Sequence, residues 1–545
     1  MTHWTALVAE KQQRQLKSIP QDWLVSPPPD STLDVTGFPD ACGLLNAREI
    51  EITNTSVDAL LDKLSCGEWT AVDVTTAFYK RAIVAHQLVN CLTEIFVDRA
   101  LARAAELDDH FKQTGKVVGP LHGLPISLKD QLCIKGIETT MGYISWIGRY
   151  AEKNAVLVDI LIECGAVPFV RTNLPQTVMW PETFNNIFGR TTNPYNRSLT
   201  PGGSSGGEGA LVALKGSPLG VGSDLGGSIR IPSAFCGLYS LRPSYGRVPY
   251  CGALNSLEGQ DSVLSVFGPM ANSIGGVKAF MKAVVNAKPW LKDPLAVRKK
   301  WDEDEYNLAD HGSGKDLCFA IMWDDGVVVP HPPIRRSLEV TKAALEKAGY
   351  KVVDWKPIKH KLLTDTTRNI RNAGSAEDCM ITTSVTGEPI IATMDLDNSD
   401  AAAAPFRPPK MGITAYQLWQ VQKLRKDLRK EYLDHWEETA SETGTGRPVD
   451  AIICPASSYT NYTAVWNALD YPAATFPVTT VDPILDAKKP RHAFYDDFDK
   501  GVYEMYDPER FKNTPVCLQL VGRTLEEEAV IKMTEIVDAA LASAK

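Results

Sequence analysis

The sequence predicts an α/β protein in which helices flank a central β-sheet. Segments with the 3.6-residue period of an amphipathic helix alternate along the chain with short apolar runs typical of buried strands. The hydrophobic fraction of 44% and the charged fraction of 23% are those of an ordinary folded protein. At about 150 residues per domain the 545 residues suggest three or four domains, yet no repeat or composition shift marks a boundary. We therefore expect one large body.

An arm is predicted at the N-terminus, over residues 1–48. Five prolines, at positions 20, 27, 28, 29 and 39, interrupt this stretch, and proline runs favour extended backbone over packed helix. From Thr55 onward the helical period begins, and it predicts a helix capped by Ser56. Two more helices are predicted over Thr70–Val89 and Val97–Lys112.

Two β-α-β patterns follow in the body of the chain, and they predict a largely parallel sheet. In the first, a strand over 124–130 precedes a helix over 154–164 and a strand over 167–170. In the second, strands over 317–322 and 350–355 flank a helix over 334–348. The remaining predictions are a connector over 400–410, a helix over 414–439, strands over 451–455 and 516–521, and a capping box (Thr524 to Glu527) that opens the last helix.

Charge and cysteine usage limit the class of protein. The net charge of -9 argues against a nucleic-acid partner. The 11 cysteines are scattered singly without a C-x-x-C pair, which is typical of reduced thiols in a cytoplasmic protein and not of a zinc site. The polar first 15 residues do not resemble a signal peptide, and no run of 18 apolar residues predicts a membrane span.

Glycine is concentrated in one segment, with ten glycines in the 26 residues from Gly202 to Gly227, against an average of about 7%. Such density indicates positive φ angles or backbone N–H groups that face a ligand. A phosphate-binding loop is disfavoured, because G-x-x-x-x-G-K-[ST] is missing. Gly202–Gly206 matches the G-x-S-x-G elbow of α/β-hydrolases, but a loop precedes it and His122 is the one plausible histidine base.

A serine nucleophile served by a lysine base is the third interpretation of this segment. A strand near 219–221 and a tight turn over 224–227 place Ser228 at the start of a helix. The backbone N–H groups of Leu225, Gly226 and Gly227 are then candidates for an oxyanion hole. Lys129 ends an apolar strand, where partial burial would lower the pKa of its amine and make it a base. A lone lysine at a strand end is more often a solvated surface charge.

From about residue 55 to 540 the chain resembles the amidase signature family of serine hydrolases. The segments Pro201–Ala210 and Gly222–Pro232 look like the family signature, and Gly119–Asp130 resembles its lysine strand. The spacing agrees as well, with 75 residues from Lys129 to Ser204 and 24 from Ser204 to Ser228. The resemblance implies the amidase signature fold, an α/β domain over 49–545 with a central twisted mixed sheet.

The same resemblance implies a role for each matching residue. Ser228 is expected to be the nucleophile, Ser204 a bridging serine after a cis peptide bond, and Lys129 the neutral base. The resemblance also assigns supporting residues and a substrate pocket: Ser205 and Asp224 would support the triad, and Met179, Trp180 and Gly203 would line the pocket. Ordinary loop capping by Ser205 and Asp224, and core packing by Met179 and Trp180, are open alternatives. Arg230 is expected to anchor the loop.

Among relatives, the sequence looks most like fungal acetamidases and general amidases, including over its N-terminal residues. This resemblance implies hydrolysis of a small aliphatic or aryl carboxamide to an acid and ammonia or an amine, without cofactor or metal. The partner is expected to be that small molecule, and a homodimer is compatible with it. Hydrolysis of larger amides, esters or carbamates, an amidotransferase subunit, and a scaffold without turnover are the alternatives. The lipid-amide branch shares the core but has a membrane-spanning N-terminus that is not expected here.

Overall fold

A computed structural model describes residues 4–391, 412–457, 459 and 461–544 of the chain. The predicted connector over 400–410 lies outside these residues. The helices in the described ranges are α1 Trp4–Lys17, α2 Phe38–Ala41, α3 Ala47–Asn54, α4 Val57–Ser65, α5 Ala71–Val89, α6 Val97–Thr114, α7 Val156–Glu163, α8 Gly206–Ala213, α9 Arg230–Phe235, α10 Ile274–Asn286, α11 Glu303–Tyr306, α12 Pro332–Lys347, α13 His360–Asn372, α14 Ser375–Ser384, α15 Ala415–Glu438, α16 Ala440–Thr443, α17 Asn461–Leu469, α18 Asp497–Met505 and α19 Glu527–Ala544.

The strands in the same ranges are β1 Leu92–Ile95, β2 Pro125–Lys129, β3 Val167–Thr172, β4 Phe184–Asn185, β5 Gly189–Arg190, β6 Leu219–Asp224, β7 Tyr239–Arg242, β8 Val266–Ala271, β9 Cys318–Ile321, β10 Lys351–Asp354, β11 Ala451–Pro455, β12 Ala473–Thr480 and β13 Pro515–Val521. The helices and strands predicted from Ser56 through Val521 are present, with ends shifted by a few residues. Strands β4 and β5 form a small hairpin of their own.

One sheet of 11 strands forms the centre of the body, in the order β1-β3-β2-β6-β8-β7-β12-β13-β11-β9-β10. The prediction of an α/β domain with a mixed sheet is confirmed. The expectation of a largely parallel sheet is wrong, because β7, β8, β12 and β13 pair antiparallel with their neighbours in the middle of the sheet. Alternation of helices and strands along the sequence specifies neither the neighbour of a strand nor its direction.

The parallel strands β2 and β6 bring Lys129 and the last residues of β6 to the same end of the sheet. Strands β2 and β6 are neighbours, with Leu128 opposite Val221. Lys129 is the last residue of β2, and Ser223 lies next to the end of β6. Because the carboxyl ends of parallel neighbours meet at one edge, the two side chains converge there.

The N-terminal arm contains a helix, so the expectation of extended backbone is wrong for its first part. Helix α1 ends before Pro20, the first of the prolines, and buries Val8 and Lys11 against the body. The ammonium of Lys11 pairs with Glu94 and lies 2.7 Å from the carboxylate of Glu138. The division of the chain at residue 48 remains a proposal.

The capping box predicted at the start of the last helix is also wrong. The hydroxyl of Thr524 donates to the carbonyl oxygen of Asp470 at 3.1 Å. Glu527 accepts instead from the guanidinium of Arg247 at 2.7 Å and from the N–H of Ser244 at 2.8 Å. The buried Arg247 thus binds the glutamate that the sequence pattern assigned to the cap.

No helix in the described ranges combines the length and apolar character needed to cross a bilayer.

We predict that Lys11→Met destabilises the protein by about 3 kcal/mol, because it leaves the buried carboxylate of Glu138 and the half-buried carboxylate of Glu94 without their shared cation. Arg14 lies 3.0 Å from Glu138 and still pairs with it in the variant, so the loss of stability is not larger. Lys17→Met, an exposed site on the same helix, is the matched control. Urea unfolding measures the difference, and equal stability of the two variants would contradict the anchoring role.

Candidate active site

Most of the residues that the sequence singles out line a cavity of about 270 Å³. Its lining includes Ser228, Leu225 and Gly226 together with three residues predicted for substrate binding, Met179, Trp180 and Gly203. The remaining lining residues are Val178, Pro181, Ile231, Leu257, Arg371, Asn372 and Ser375. The predicted nucleophile and the predicted pocket residues therefore share one space.

Lys129 does not line this cavity and is fully buried, with an exposed fraction of 0%. Its Nζ is 2.7 Å from the Oγ of Ser204 and 2.9 Å from the Oγ of Ser223. Burial lowers the pKa of Lys129 well below its usual 10.5, and the more distant charges of Asp224 and Glu208 raise it only in part. The amine is thus a base held against a serine hydroxyl.

Ser204 and Ser205 follow the loop that runs into α8. The peptide bond between Gly203 and Ser204 is cis. The N–H of Ser205 donates to the carbonyl oxygen of Ser228 at 3.2 Å, and its Oγ accepts from the N–H of Ser223 at 3.2 Å. Ser205 therefore connects the end of β6 to the backbone of Ser228.

Asp224 holds the turn that carries Ser228. Its carboxylate accepts from the N–H of Gly227 at 2.7 Å and from the Nε of Arg230 at 3.0 Å. The amide of Asn467, on α17, donates to the same carboxylate at 2.8 Å. Burial raises the pKa of Asp224, but the guanidinium of Arg230 outweighs it and brings the pKa to about 2. Asp224 is ionised, and it bonds the turn to a buried cation.

The N–H groups of the turn divide into two sets. That of Gly227 already donates to Asp224. Those of Leu225 and Gly226, at the cavity surface, donate to no protein acceptor within the described ranges. The N–H groups of Leu225 and Gly226, close to Ser228, are therefore free to donate hydrogen bonds to an oxyanion. Ser228 itself precedes α9 by two residues, so the predicted helix start is close but not at the serine.

Further polar residues around Lys129 have no counterpart in the sequence prediction. The Oγ of Ser223 donates to the Oε1 of Gln131, which continues the chain of bonds from the lysine. Glu208 accepts from the hydroxyl of Thr172 at 2.8 Å and from that of Ser127. Burial raises the pKa of Glu208 to about 8. Glu208 lies within the glycine-rich segment, and that position is the sequence feature that could have indicated it as a site residue.

Close packing explains more of the glycine density than ligand-facing backbone does. A Cβ at Gly203 would lie 2.5 Å from the backbone nitrogen of Glu182, and one at Gly222 would lie 2.8 Å from the Oγ of Ser205. Positive φ angles occur at Gly202, with φ of +85°, and at Gly227, with φ of +131°. At Gly203 and Gly222 the segment thus passes too close to other parts of the chain for a side chain to fit.

Three cavity residues from α13 and α14 (Arg371, Asn372 and Ser375) escaped the sequence prediction. They follow Ser228 by more than 140 residues, and no motif surrounds them. His122 is not among the cavity residues; its Nδ1 accepts from the N–H of Val118 at 3.2 Å. Among the residues that the structure describes, no group of three or more His, Cys, Asp or Glu could hold a metal ion.

Comparison with known proteins connects this geometry to one family. The family model described as Amidase matches residues 73–531. An acetamidase of Aspergillus oryzae is 43% identical over 98% of this chain and 98% of its own length, and an acetamidase of Emericella nidulans is 43% identical over 98% and 97%. The solved structure of a fatty acid amide hydrolase is similar with a TM-score of 0.89 and 34% identity, over 99% of this chain and 95% of its own.

We predict that Asp224→Asn destabilises the protein by about 3–5 kcal/mol at neutral pH, because it leaves the guanidinium of Arg230 buried without its counterion. Asp427→Asn, which breaks the exposed pair with Lys423, should change stability by less than about 0.5 kcal/mol. Urea unfolding compares both variants with the native chain.

The pH dependence of this difference has a defined sign. The pKa of Asp224 is about 2 in the folded protein and about 3.9 in an unfolded chain, so its contribution is complete above about pH 4. It is lost as the pH falls from about 4 toward 2. The gap in stability between the native chain and Asp224→Asn should narrow over that range, and a gap independent of pH would contradict the ion pair.

Proposed function

The chain belongs to the amidase family, and on that basis we propose that Ser228, Ser204 and Lys129 are the catalytic triad with which it hydrolyses a carboxamide. Amide hydrolysis is the activity of this enzyme. The observation that carries the assignment of the triad is the buried contact of 2.7 Å between the Nζ of Lys129 and the Oγ of Ser204. A lysine with a lowered pKa next to a serine hydroxyl is a base suited to proton transfer.

In the acylation step, the Oγ of Ser228 attacks the carbonyl carbon of the amide. The proton of Ser228 passes to the Oγ of Ser204, which gives its own proton to the neutral Nζ of Lys129. The carbonyl oxygen gains negative charge and is stabilised by the N–H groups of Leu225 and Gly226.

Breakdown of this intermediate reverses the proton path. Lys129 returns a proton through Ser204 to the leaving nitrogen, the C–N bond breaks, and ammonia or an amine departs. Ser228 is left as an ester of the acyl group. A water molecule then attacks the ester with the same proton path, and the carboxylic acid is released.

The surroundings of Lys129 support a neutral amine in the resting enzyme. A neutral Nζ has two hydrogens and one lone pair. It can donate to the Oγ of Ser223, which in turn donates to Gln131, while the lone pair accepts the proton of Ser204. A neutral Lys129 would thus have a lone pair available to accept the proton of the bridging serine.

For the substrate we propose a small aliphatic or aryl carboxamide. The support is the 43% identity to two fungal acetamidases over nearly the whole chain. The similarity to a fatty acid amide hydrolase at 34% identity makes longer acyl amides the second candidate, since Val178, Met179 and Trp180 form an apolar part of the cavity. A screen of purified protein from acetamide through aryl and long-chain amides, esters and carbamates separates the two.

We also propose a cytoplasmic location, on the basis that all 11 cysteines lie in the described ranges and are unpaired. The acidic net charge of -9 supports a small molecule over nucleic acid as the partner. A homodimer remains part of the proposal, and sedimentation analysis decides it against a monomer.

We predict that a fluorophosphonate probe labels the native chain and fails to label Ser228→Ala, because an activated serine hydroxyl displaces the fluoride and forms a phosphonate ester. Ser217→Ala is the matched control, since this buried serine precedes β6 and its hydroxyl donates to the carbonyl oxygen of Leu219. Turnover of an amide should fall by roughly 10⁴-fold or more in Ser228→Ala and remain in the control. Equal labelling of all three proteins would reject Ser228 as the nucleophile.

We predict that the acidic limb of the pH profile of kcat/KM belongs to Lys129. The proposed base must be neutral, so activity falls as the pH drops below its lowered pKa. Lys129→Met should lower kcat by several orders of magnitude and remove that limb, whereas the exposed Lys135→Met should keep both rate and limb. If the limb persists in Lys129→Met, another group is the base.

A further inference from the structure

One residue brings a formal charge to the cavity around Ser228. The described lining residues are apolar or neutral except Arg371, near the end of α13. The neighbouring Asn372 and Ser375 add neutral polar groups that can donate hydrogen bonds. The cavity therefore combines an apolar part with a group of donors that contains one cation.

Within the described ranges, the guanidinium of Arg371 has no carboxylate partner and no hydrogen bond to protein. Arg230 and Arg247, in contrast, are buried with acidic partners, and Arg368, one helical turn before Arg371, pairs with Asp365 at 3.1 Å. Burial and the like charge of Arg368 lower the pKa of Arg371. A partly buried guanidinium without a counterion is well suited to take an anionic group from a ligand.

Arg371 lies close to the turn that precedes Ser228. Its Nη1 would lie 2.9 Å from a Cβ built on Gly226, one of the two residues with a free N–H in the turn. Helix α13 is held in place by its buried Ile370 and by a bond of 3.0 Å between His360 Nε2 and the hydroxyl of Tyr432. The guanidinium thus reaches the cavity next to Ser228 from a helix that is anchored elsewhere.

Resting on the proposed function, we propose that Arg371 determines specificity by binding a carboxylate on the acyl part of the substrate. The preferred substrates are then monoamides of dicarboxylic acids, and neutral amides of the same size are poorer. In a primary amide the leaving group is ammonia, so any group recognised by the cavity belongs to the acyl part. The planar guanidinium can form two parallel hydrogen bonds with that carboxylate.

The test compares anionic amides with neutral amides of equal size. Succinamate, glutaramate and adipamate are paired with analogues in which an isopropyl group replaces the carboxylate, such as 4-methylpentanamide for succinamate. The native enzyme should prefer at least one anionic amide over its analogue by about 10-fold or more in kcat/KM. Arg371→Met should lower kcat/KM for that anionic amide by about 30-fold or more and change the analogue by less than about 3-fold.

Two variants control for charge and for the helix. Arg371→Lys keeps the charge without the paired hydrogen bonds and should retain part of the preference. Arg368→Met removes the neighbouring cation on the same helix and should leave the preference unchanged. If the native enzyme has equal kcat/KM for each anionic amide and its neutral analogue, the proposal is overturned. An equal loss on both members of a pair in Arg371→Met also overturns it, since that result places Arg371 at the oxyanion and not at the acyl carboxylate.

A binding measurement separates this proposal from the assignment of the triad. In Ser228→Ala, calorimetry with the preferred anionic amide should give a Kd that Arg371→Met raises by about 30-fold, with little change for the neutral analogue. Selective binding without turnover in the native chain would reject the triad and keep the role of Arg371. Turnover of neutral amides with no selective binding would keep the triad and reject the role of Arg371.

Discussion

Removal of Lys129 from water is the constraint on which the site depends. A lysine in solution is protonated near neutral pH, and burial without a directly paired carboxylate lowers the pKa of Lys129 well below its usual value. The parallel pairing of β2 and β6 fixes the side chain in the interior, and the hydroxyls of Ser204 and Ser223 contact its nitrogen. Two carboxylates raise the pKa of Lys129 only in part: Asp224, which is paired with Arg230, and Glu208, whose own pKa is raised to about 8 by burial.

Fully ionised groups stabilise the structure at a short distance from this base. Asp224 and Arg230 form a buried pair that holds the turn before α9, and Arg230 extends to Gln519 on β13 and to Asn467 on α17. The turn with Ser228 is thereby bonded to residues more than 200 positions later in the chain. The buried ion pair therefore connects the turn before α9 to β13 and α17.

The signature segments single out Lys129, Ser204 and Ser228 as the proposed triad because the spacing of these residues agrees with the family. Local patterns fail at α1, where the prolines begin only at Pro20 and leave the preceding residues free to form a helix, and at Glu527, whose partner is the distant Arg247. The bonds from Ser223 to Gln131 and the approach of Arg371 to Gly226 had no local signal at all. At Glu527, Ser223 and Arg371 the deciding contact joins segments that no short pattern connects.

By itself, the sequence determined the α/β class and the alternation of most helices and strands, and its resemblance to a family signature singled out Lys129, Ser204 and Ser228 as the proposed triad. The class and the alternation follow from periodicity over neighbouring residues, whereas the proposed triad follows from the spacing of the signature segments. Only the tertiary structure decided the mixed pairing of the sheet, the full burial of Lys129 and the position of Arg371 in the cavity. Burial and charge pairing arise from contacts between remote segments, and these contacts exist only once the chain is packed.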